Sequence, residues 1–183
     1  MLVAVVGPSG AGKDTLMEAA RLRLEGRPGF RFARRVITRP ADAGGEEHEA
    51  LDRAAFLARR DSGGFALWWQ AHGLLYGIPR DIEADLAAGR TVIANLSRTV
   101  LAEADAAYRL LVLEITAPPE VLAARLAVRG REDAAMVAAR LARQAPLPAG
   151  LRVARVMNDG TVEAGIAQVL AALGASGQAP GIG

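Results

Sequence analysis

An apolar run, Leu2 to Val6, leads straight into Gly7-Pro8-Ser9-Gly10-Ala11-Gly12-Lys13, and this junction limits the fold more than any other feature of the chain. Such a run reads as a buried strand, and residues 13–25 read as a helix. A glycine-rich loop between strand and helix, ending in lysine, has the spacing of a loop that cradles a nucleoside triphosphate. Its glycines admit backbone with φ > 0 and let N–H groups close on phosphate oxygens. The helix N-terminus adds partial positive charge. In such a site Lys13 bridges the β- and γ-phosphates and stabilises charge as it moves. The bland alternative, a glycine-rich turn with an exposed lysine, leaves the strand–loop–helix context unexplained. Lys13 is also the only lysine of the 183 residues; every other basic side chain is arginine. That bias suits a GC-rich genome, and a lysine that survives it in this loop is there for chemistry.

The motif expects Ser or Thr after the lysine, to place a hydroxyl on Mg2+, and the chain has Asp14. A carboxylate beside a polyphosphate repels it unless a cation lies between them. Asp14 therefore reads as a magnesium ligand, direct or through water, with Thr15 as the alternative source of a hydroxyl. The competing reading is a solvated acid favoured by the dipole in the first helical turn. The expected ligands are ATP and Mg2+.

Strands and helices alternate through the rest of the chain, which predicts an α/β fold with a parallel central sheet of the P-loop NTPase type. The segment 31–38, "RFARRVIT", reads as one mixed-polarity strand, and 40–49 as a polar loop. Residues 52–61 form a short amphipathic helix, and 64–71 and 74–78 are strands around a Gly73 turn. Pro79 is expected to open a helix to about residue 88, with Gly89 as its stop. Residues 91–96 and 109–116 are buried strands, 118–130 and 132–144 helices, 151–157 a last strand and 161–173 a last helix. Residues 1–173 are expected to form a single domain, followed by a flexible tail, 174–183.

The chain is 51% apolar and only 4% aromatic, so its core must be mainly Ala, Leu and Val. No apolar run reaches the roughly 18 residues of a membrane span. The start lacks the basic region of a signal peptide, and a cytoplasmic protein without membrane partners is expected. A net charge of +2, with no basic run interleaved with aromatics, gives no reason to expect nucleic acid. There is no cysteine, which excludes disulfides and thiolate metal sites. Nothing in the sequence bears on oligomeric state.

A second basic feature follows in "RLAVRGREDAAMVAARLAR". Arg125 and Arg129 lie four apart on one helix face, with Arg131 and Arg140 beyond. Like charges at that spacing cost about a few tenths of a kcal/mol in an isolated helix. A polyanion between them offsets the cost, and guanidiniums closing over phosphates stabilise the transition state. The alternative is a solvated face paired with Glu132 and Asp133. Beside a phosphate loop, Arg125, Arg129 and Arg140 join Lys13 as candidate catalytic residues in a lid of about 118–145.

The loop "GPSGAGK", the "TRP" at 38–40, "YG" at 76–77, "RLAVRG" at 125–130 and "VMND" at 156–159 fall in an order that resembles the guanylate kinases, over about residues 1–173. The resemblance implies a P-loop kinase core with an acceptor-binding insertion and a mobile lid, and Asn158 and Asp159 near the adenine. The acceptor side departs from that family. Where it places a glutamate to read the guanine edge, this chain has Leu67; "VIANLSR" carries no carboxylate; and a second phosphate-binding arginine is replaced near Asp42. A purine edge facing leucine loses its hydrogen bonds, at about 1–3 kcal/mol for each unsatisfied group.

The segments "RRVITRPADAGGEEHEAL", "WWQAHGLLYGIP" and "ANLSR" closely resemble the ribose 1,5-bisphosphate phosphokinases, guanylate-kinase relatives of phosphonate catabolism. That resemblance implies ATP-dependent conversion of ribose 1,5-bisphosphate to 5-phosphoribosyl 1-diphosphate. A phosphosugar with phosphates at both ends needs cations at two places and no base pocket. Arg34, Arg35, Arg39 and Arg98, in or near an acceptor region of about 34–78, are candidates for its phosphates. Glu46, His48, His72, Tyr76, Asn95 and Ser97 are candidates for its hydroxyls or phosphates. His48 and His72 read equally well as surface or capping residues, and Tyr76 as core. Trp68 and Trp69 read as packing on opposite faces of a strand. Two other readings stand beside this one: a nucleoside monophosphate kinase, and a non-catalytic guanylate-kinase-like module that binds protein. The intact loop and lysine weigh against the last.

Overall fold

The structure, a computed structural model, describes residues 1–40, 46–128 and 146–174. Strands β1 (Leu2–Val6), β2 (Phe30–Phe32), β7 (Thr91–Asn95), β8 (Leu110–Thr116) and β9 (Val153–Met157) form a parallel sheet in the order β2-β7-β1-β8-β9. All five residues of β1 are buried, as a central strand covered on both faces requires. A second sheet has the order β4-β3-β6-β5, from β3 (Val36–Ile37), β4 (Glu49–Ala50), β5 (Phe65–Ala71) and β6 (Leu74–Pro79). The helices are α1 (Lys13–Arg23), α2 (Arg53–Asp61), α3 (Ile82–Ala87), α4 (Leu101–Ala107), α5 (Pro119–Val128) and α6 (Val162–Ala172).

The chain gathers into two compact units. One comprises Met1–Val5, Gly26–Val112 and Leu147–Arg152. Its second sheet has a small core of Val36, Phe56, Phe65 and Leu75, with the Phe56 and Phe65 rings stacked 4.5 Å apart. Gly77 lies under Phe65, where a Cβ would stand 2.6 Å from the ring. Helix α2 starts on Asp52, whose carboxylate accepts from Ala55 N–H at 2.8 Å. Asp85 of α3, almost buried, pairs with Arg31 of β2 and with Arg90, the latter at 2.5 Å. The hydrogen bond from Arg31, foremost, holds its carboxyl below the usual range. Nearby, Tyr108 donates to Glu83 Oε1 at 2.9 Å.

The other unit holds Val6–Glu25 and the described parts of Leu113–Pro146 and Val153–Gly183. Here α1 packs on α6. Gly165 permits the close approach, since a Cβ there would lie 2.8 Å from Leu16 Cδ2. Thr161 caps α6, accepting from Ala164 N–H at 3.2 Å.

Two expectations need correction. Residues 31–38 are two short strands in different sheets, not one. Ala33 N–H still bonds the Ile93 carbonyl at 2.8 Å, continuing the β2–β7 ladder, whereas Val36 already pairs with Glu49 and Gly77. Pro79 does not open a helix: it ends β6 opposite Phe65, a strand end being a place where a missing N–H is tolerated. The helix begins at Ile82. Residues 97–108, unassigned from sequence, form a 3-10 turn, Arg98–Val100, and α4. The expected helix at 132–144, most of the expected lid and nearly all of the tail lie outside the described residues.

Candidate active site

The phosphate loop has its strained points where the sequence has glycine. Gly7, Gly10 and Gly12 have φ of 152°, 83° and 80°. A Cβ on Gly7 would fall 2.0 Å from the Ile115 carbonyl oxygen, and one on Gly12 would fall 2.5 Å from Asn158 Nδ2. No side chain fits at either position. Pro8 and Ala11 are buried and Ser9 is exposed; Ala11 N–H closes the turn onto the Pro8 carbonyl at 3.3 Å. Lys13 folds back along the loop, its Nζ donating to the carbonyls of Gly7 (2.8 Å) and Pro8 (3.1 Å). Asp14 and Thr15 stand exposed in the first turn of α1.

Beside the loop is a cavity of about 350 Å³, with Gly10, Gly12, Thr15, Arg125, Asn158 and Val162 among its lining. Arg125 Nη1 is buried there without a hydrogen-bond partner among the described residues. Asn158 lines the cavity, but its amide nitrogen is already engaged. Nδ2 donates to the Ala11 carbonyl at 2.8 Å, tying the end of β9 to the phosphate loop. Asp159 is exposed and does not line the cavity. Arg129 and Arg140 lie outside the described residues.

The acceptor candidates belong to the other unit, and seven of them meet. Trp69 and Tyr76 face each other across the β5–β6 hairpin with rings stacked 5.4 Å apart and 5° from parallel. The Arg35 guanidinium lies over both, 5.8 and 5.2 Å from their centroids. Arg35 Nε donates to Glu46 Oε1, and Asn95 Nδ2 donates to Glu46 Oε2 at 2.8 Å. His48 is only 3% exposed. Its Nε2 lies 3.1 Å from the Arg39 carbonyl and its Nδ1 3.0 Å from the Glu46 carbonyl. The ring thus bridges two residues on either side of 41–45. Arg39 Nη2 is 3.4 Å from Nδ1, while Arg39 Nε is buried without a partner among the described residues. Arg34 donates to the His48 carbonyl at 2.9 Å and lies 3.5 Å from Glu47.

The remaining candidates stand apart from this cluster. His72 is exposed at the tip of the hairpin, with φ of 51°. Ser97 caps the 3-10 turn, its Oγ accepting from Thr99 N–H at 3.3 Å, and Arg98 is half-buried in that turn. The tryptophans divide as the strand period requires: Trp69 is buried and Trp68 is 39% exposed, with Arg60 5.0 Å above its ring. Sequence reasoning gave Trp69 no more than packing, yet it is half of the platform under Arg35. The period-two pattern Phe65, Leu67, Trp69 was the signal. Leu67 is fully buried, 1% exposed, and pairs with Ile78.

No protein-family model matches the chain. Over 164 residues it is 51% identical to a ribose 1,5-bisphosphate phosphokinase PhnN of Agrobacterium fabrum, covering 88% of this chain and 90% of that one. A Brucella melitensis PhnN of the same name is also 51% identical, with 85% of its length covered. A bifunctional ribose 1,5-bisphosphokinase–thymidine phosphorylase of Azorhizobium caulinodans is 54% identical over 171 residues, but the chain spans only 25% of that protein. Among solved structures, a guanylate kinase from Anaplasma phagocytophilum superposes with a TM-score of 0.62 at 21% identity, covering 94% of this chain and 85% of the other. A sugar kinase from Janibacter does so with 0.52, also at 21% identity, covering 96% and 95%. These two likenesses show the fold.

Proposed function

The chain belongs to the ribose 1,5-bisphosphate phosphokinase family, and on that premise we propose that it transfers the γ-phosphoryl group of ATP to ribose 1,5-bisphosphate, giving 5-phosphoribosyl 1-diphosphate and ADP. The 1-phosphate of the sugar supplies the nucleophile. One of its oxygens forms the new bond to the γ-phosphorus as the bond to the β-phosphate oxygen breaks. That oxygen is already ionised at neutral pH, so no general base is required and positioning with charge neutralisation carries the reaction.

On the donor side, the N–H groups of residues 7–13 and the N-terminus of α1 receive the phosphates. Lys13 exchanges the Gly7 and Pro8 carbonyls for phosphate oxygens, and Arg125 brings a guanidinium whose Nη1 lacks a partner among the described residues. Asn158 holds the loop, and Asp159 remains a candidate to meet the adenine. Asp14 and Thr15 would hold Mg2+, whose chemistry is to neutralise charge shared between the β- and γ-phosphates. One carboxylate and one hydroxyl suit an ion that takes most of its ligands from phosphate and water, and no cluster of three or more metal-binding side chains exists among the described residues. Arg129 and Arg140 remain the candidates to cover the donor.

On the acceptor side, Arg35 is neutralised by Glu46, so Arg39, whose buried Nε has no partner among the described residues, is the better candidate for the sugar's phosphates, with Arg34 and Arg98 as further candidates. Tyr76, His72 and Ser97 remain candidate contacts for the same ligand. Leu67 carries the choice of a phosphosugar over a nucleotide. A purine edge brought to that position would face hydrocarbon instead of a carboxylate, and it would lose hydrogen bonds that a phosphosugar never needed.

The test is an assay of the purified protein with ATP and Mg2+ against ribose 1,5-bisphosphate and a panel of nucleoside monophosphates. We expect kcat/KM for the bisphosphate to exceed that for GMP by several orders of magnitude. Comparable values would return the chain to the nucleotide kinases.

A further inference from the structure

We propose that Glu46 is the residue that selects the sugar's hydroxyl groups, and that its role in the acceptor site is to accept hydrogen bonds from the pentose ring, not to bear on either phosphate. The proposal rests on ribose 1,5-bisphosphate being the acceptor.

Donors and acceptors around Glu46 do not balance. An ionised carboxylate offers about four lone-pair sites. Arg35 Nε takes one on Oε1 and Asn95 Nδ2 takes one on Oε2. The Asn95 amide cannot be turned around, because only its nitrogen can donate to a carboxylate. Its Oδ1 is therefore a true acceptor, and it is buried without a donor among the described residues. The Glu46–Asn95 pair is left with unfilled acceptor sites, on the carboxylate and on Asn95 Oδ1. Its complement is a ligand that brings O–H groups, and a phosphate, which brings only acceptors, does not supply them.

Charge points the same way. A carboxylate close to a phosphate dianion repels it, and the Arg35 guanidinium is already compensated by Glu46. A neutral hydroxyl carries no such penalty. The carboxylate is also held still. Arg35 is laid on the stacked Trp69–Tyr76 pair, the Glu46 carbonyl meets the buried His48 ring, and the Glu46 side chain keeps 16% of its surface open. A fixed acceptor discriminates better than a mobile one, since the ligand need not order it. A site built to bond a hydroxyl rejects an analogue that lacks it by far more than it rejects a missing methylene.

The experiment compares kcat/KM for ribose 1,5-bisphosphate and its 2-deoxy and 3-deoxy analogues in the wild type, Glu46→Gln and Asn95→Leu, with melting temperatures taken alongside. The wild type should disfavour at least one deoxy analogue by about a hundredfold or more. E46Q should lose activity on the natural sugar while that ratio shrinks to within about threefold, because an amide has one acceptor oxygen for the two protein donors and the hydroxyl. N95L, which removes one donor and the orphan oxygen, should narrow the same ratio and decides the matter if E46Q does not fold. Wild-type enzyme that uses all three sugars alike would overturn the proposal. So would variants that lose activity on all three in equal proportion, the mark of a purely structural role. Failure of the wild type to use ribose 1,5-bisphosphate at all is a separate outcome, which removes the functional reading and this proposal together.

Discussion

Lys13 and His48 show how differently two single residues would serve the proposed reaction. Lys13 lies along the loop whose carbonyls hold its Nζ, and on the proposed reading its charge meets the transferred phosphate when a nucleotide arrives. Replacing it with alanine removes that charge and little else. Turnover should fall by about two or more orders of magnitude, the scale of losing one preorganised electrostatic contact, while the melting temperature stays within a few degrees. Wild-type turnover in K13A would end the kinase assignment. His48 is buried and turned toward backbone, so its part is to position the residues it bridges. His48→Phe keeps a planar ring, somewhat larger, and deletes both polar contacts. We expect KM for the phosphosugar to rise about tenfold or more, as roughly 1.4 kcal/mol of lost positioning would give, with KM for ATP and kcat nearly unchanged. A uniform loss of kcat with unaltered KM values would contradict that role.

At the level of elements, the β5–β6 hairpin organises the proposed acceptor side, since it carries Leu67, Trp69 and Tyr76 on one short frame. Its fit depends on Gly77, above which the Phe65 ring sits too close for any side chain. Gly77→Ala should destabilise the protein by about 1–3 kcal/mol, the usual cost of overpacking, because Phe65 is itself held against Phe56. Gly29→Ala, where nothing lies within 4 Å, is the control and should be nearly neutral. Chemical denaturation of the two variants measures the difference; equal stabilities would show that the ring can give way. The hairpin was also where the sequence was most readable, because period-two alternation of Phe65, Leu67 and Trp69 declares the buried face. The phosphate loop was readable for another reason: its strand, turn and helix are contiguous, so spacing carries the geometry. What alternation could not reveal is a strand changing sheets, as residues 31–38 do around Arg34 and Arg35. Nor could any pattern link Glu46 to Arg35 and Asn95. Those contacts span 11 and 49 residues and join polar side chains that no periodicity predicts. Only the family resemblance brought these residues together beforehand.

For the molecule as a whole, two ionisable groups bracket the pH range of stability. Arg31 holds Asp85 below the ordinary carboxylate value of about 3.9. Its contribution is complete above that value and is lost as pH falls through the depressed one. Tyr108 is the opposite case. Burial, then its bond to Glu83, pushes its hydroxyl up to about 12. Its contribution is complete below the ordinary value near 10 and disappears as pH rises toward the folded one. Denaturation midpoints measured from pH 2 to 12 should therefore decline at both ends, and Tyr108→Phe should flatten the alkaline decline. A wild-type midpoint that holds level through pH 11 would contradict the Tyr108 assignment. The same whole-chain view gives the solitary lysine a further use. With one side-chain amine in 183 residues, an amine-acylating reagent has Lys13 Nζ as its single side-chain target, and peptide mapping separates that adduct from one on the N-terminal amine of Met1. Mass spectrometry of the peptide that carries Lys13 should show that adduct forming on the nucleotide-free enzyme and suppressed by a non-hydrolysable ATP analogue, so donor occupancy can be titrated without any turnover. Equal labelling with and without the analogue would place the phosphates away from this lysine.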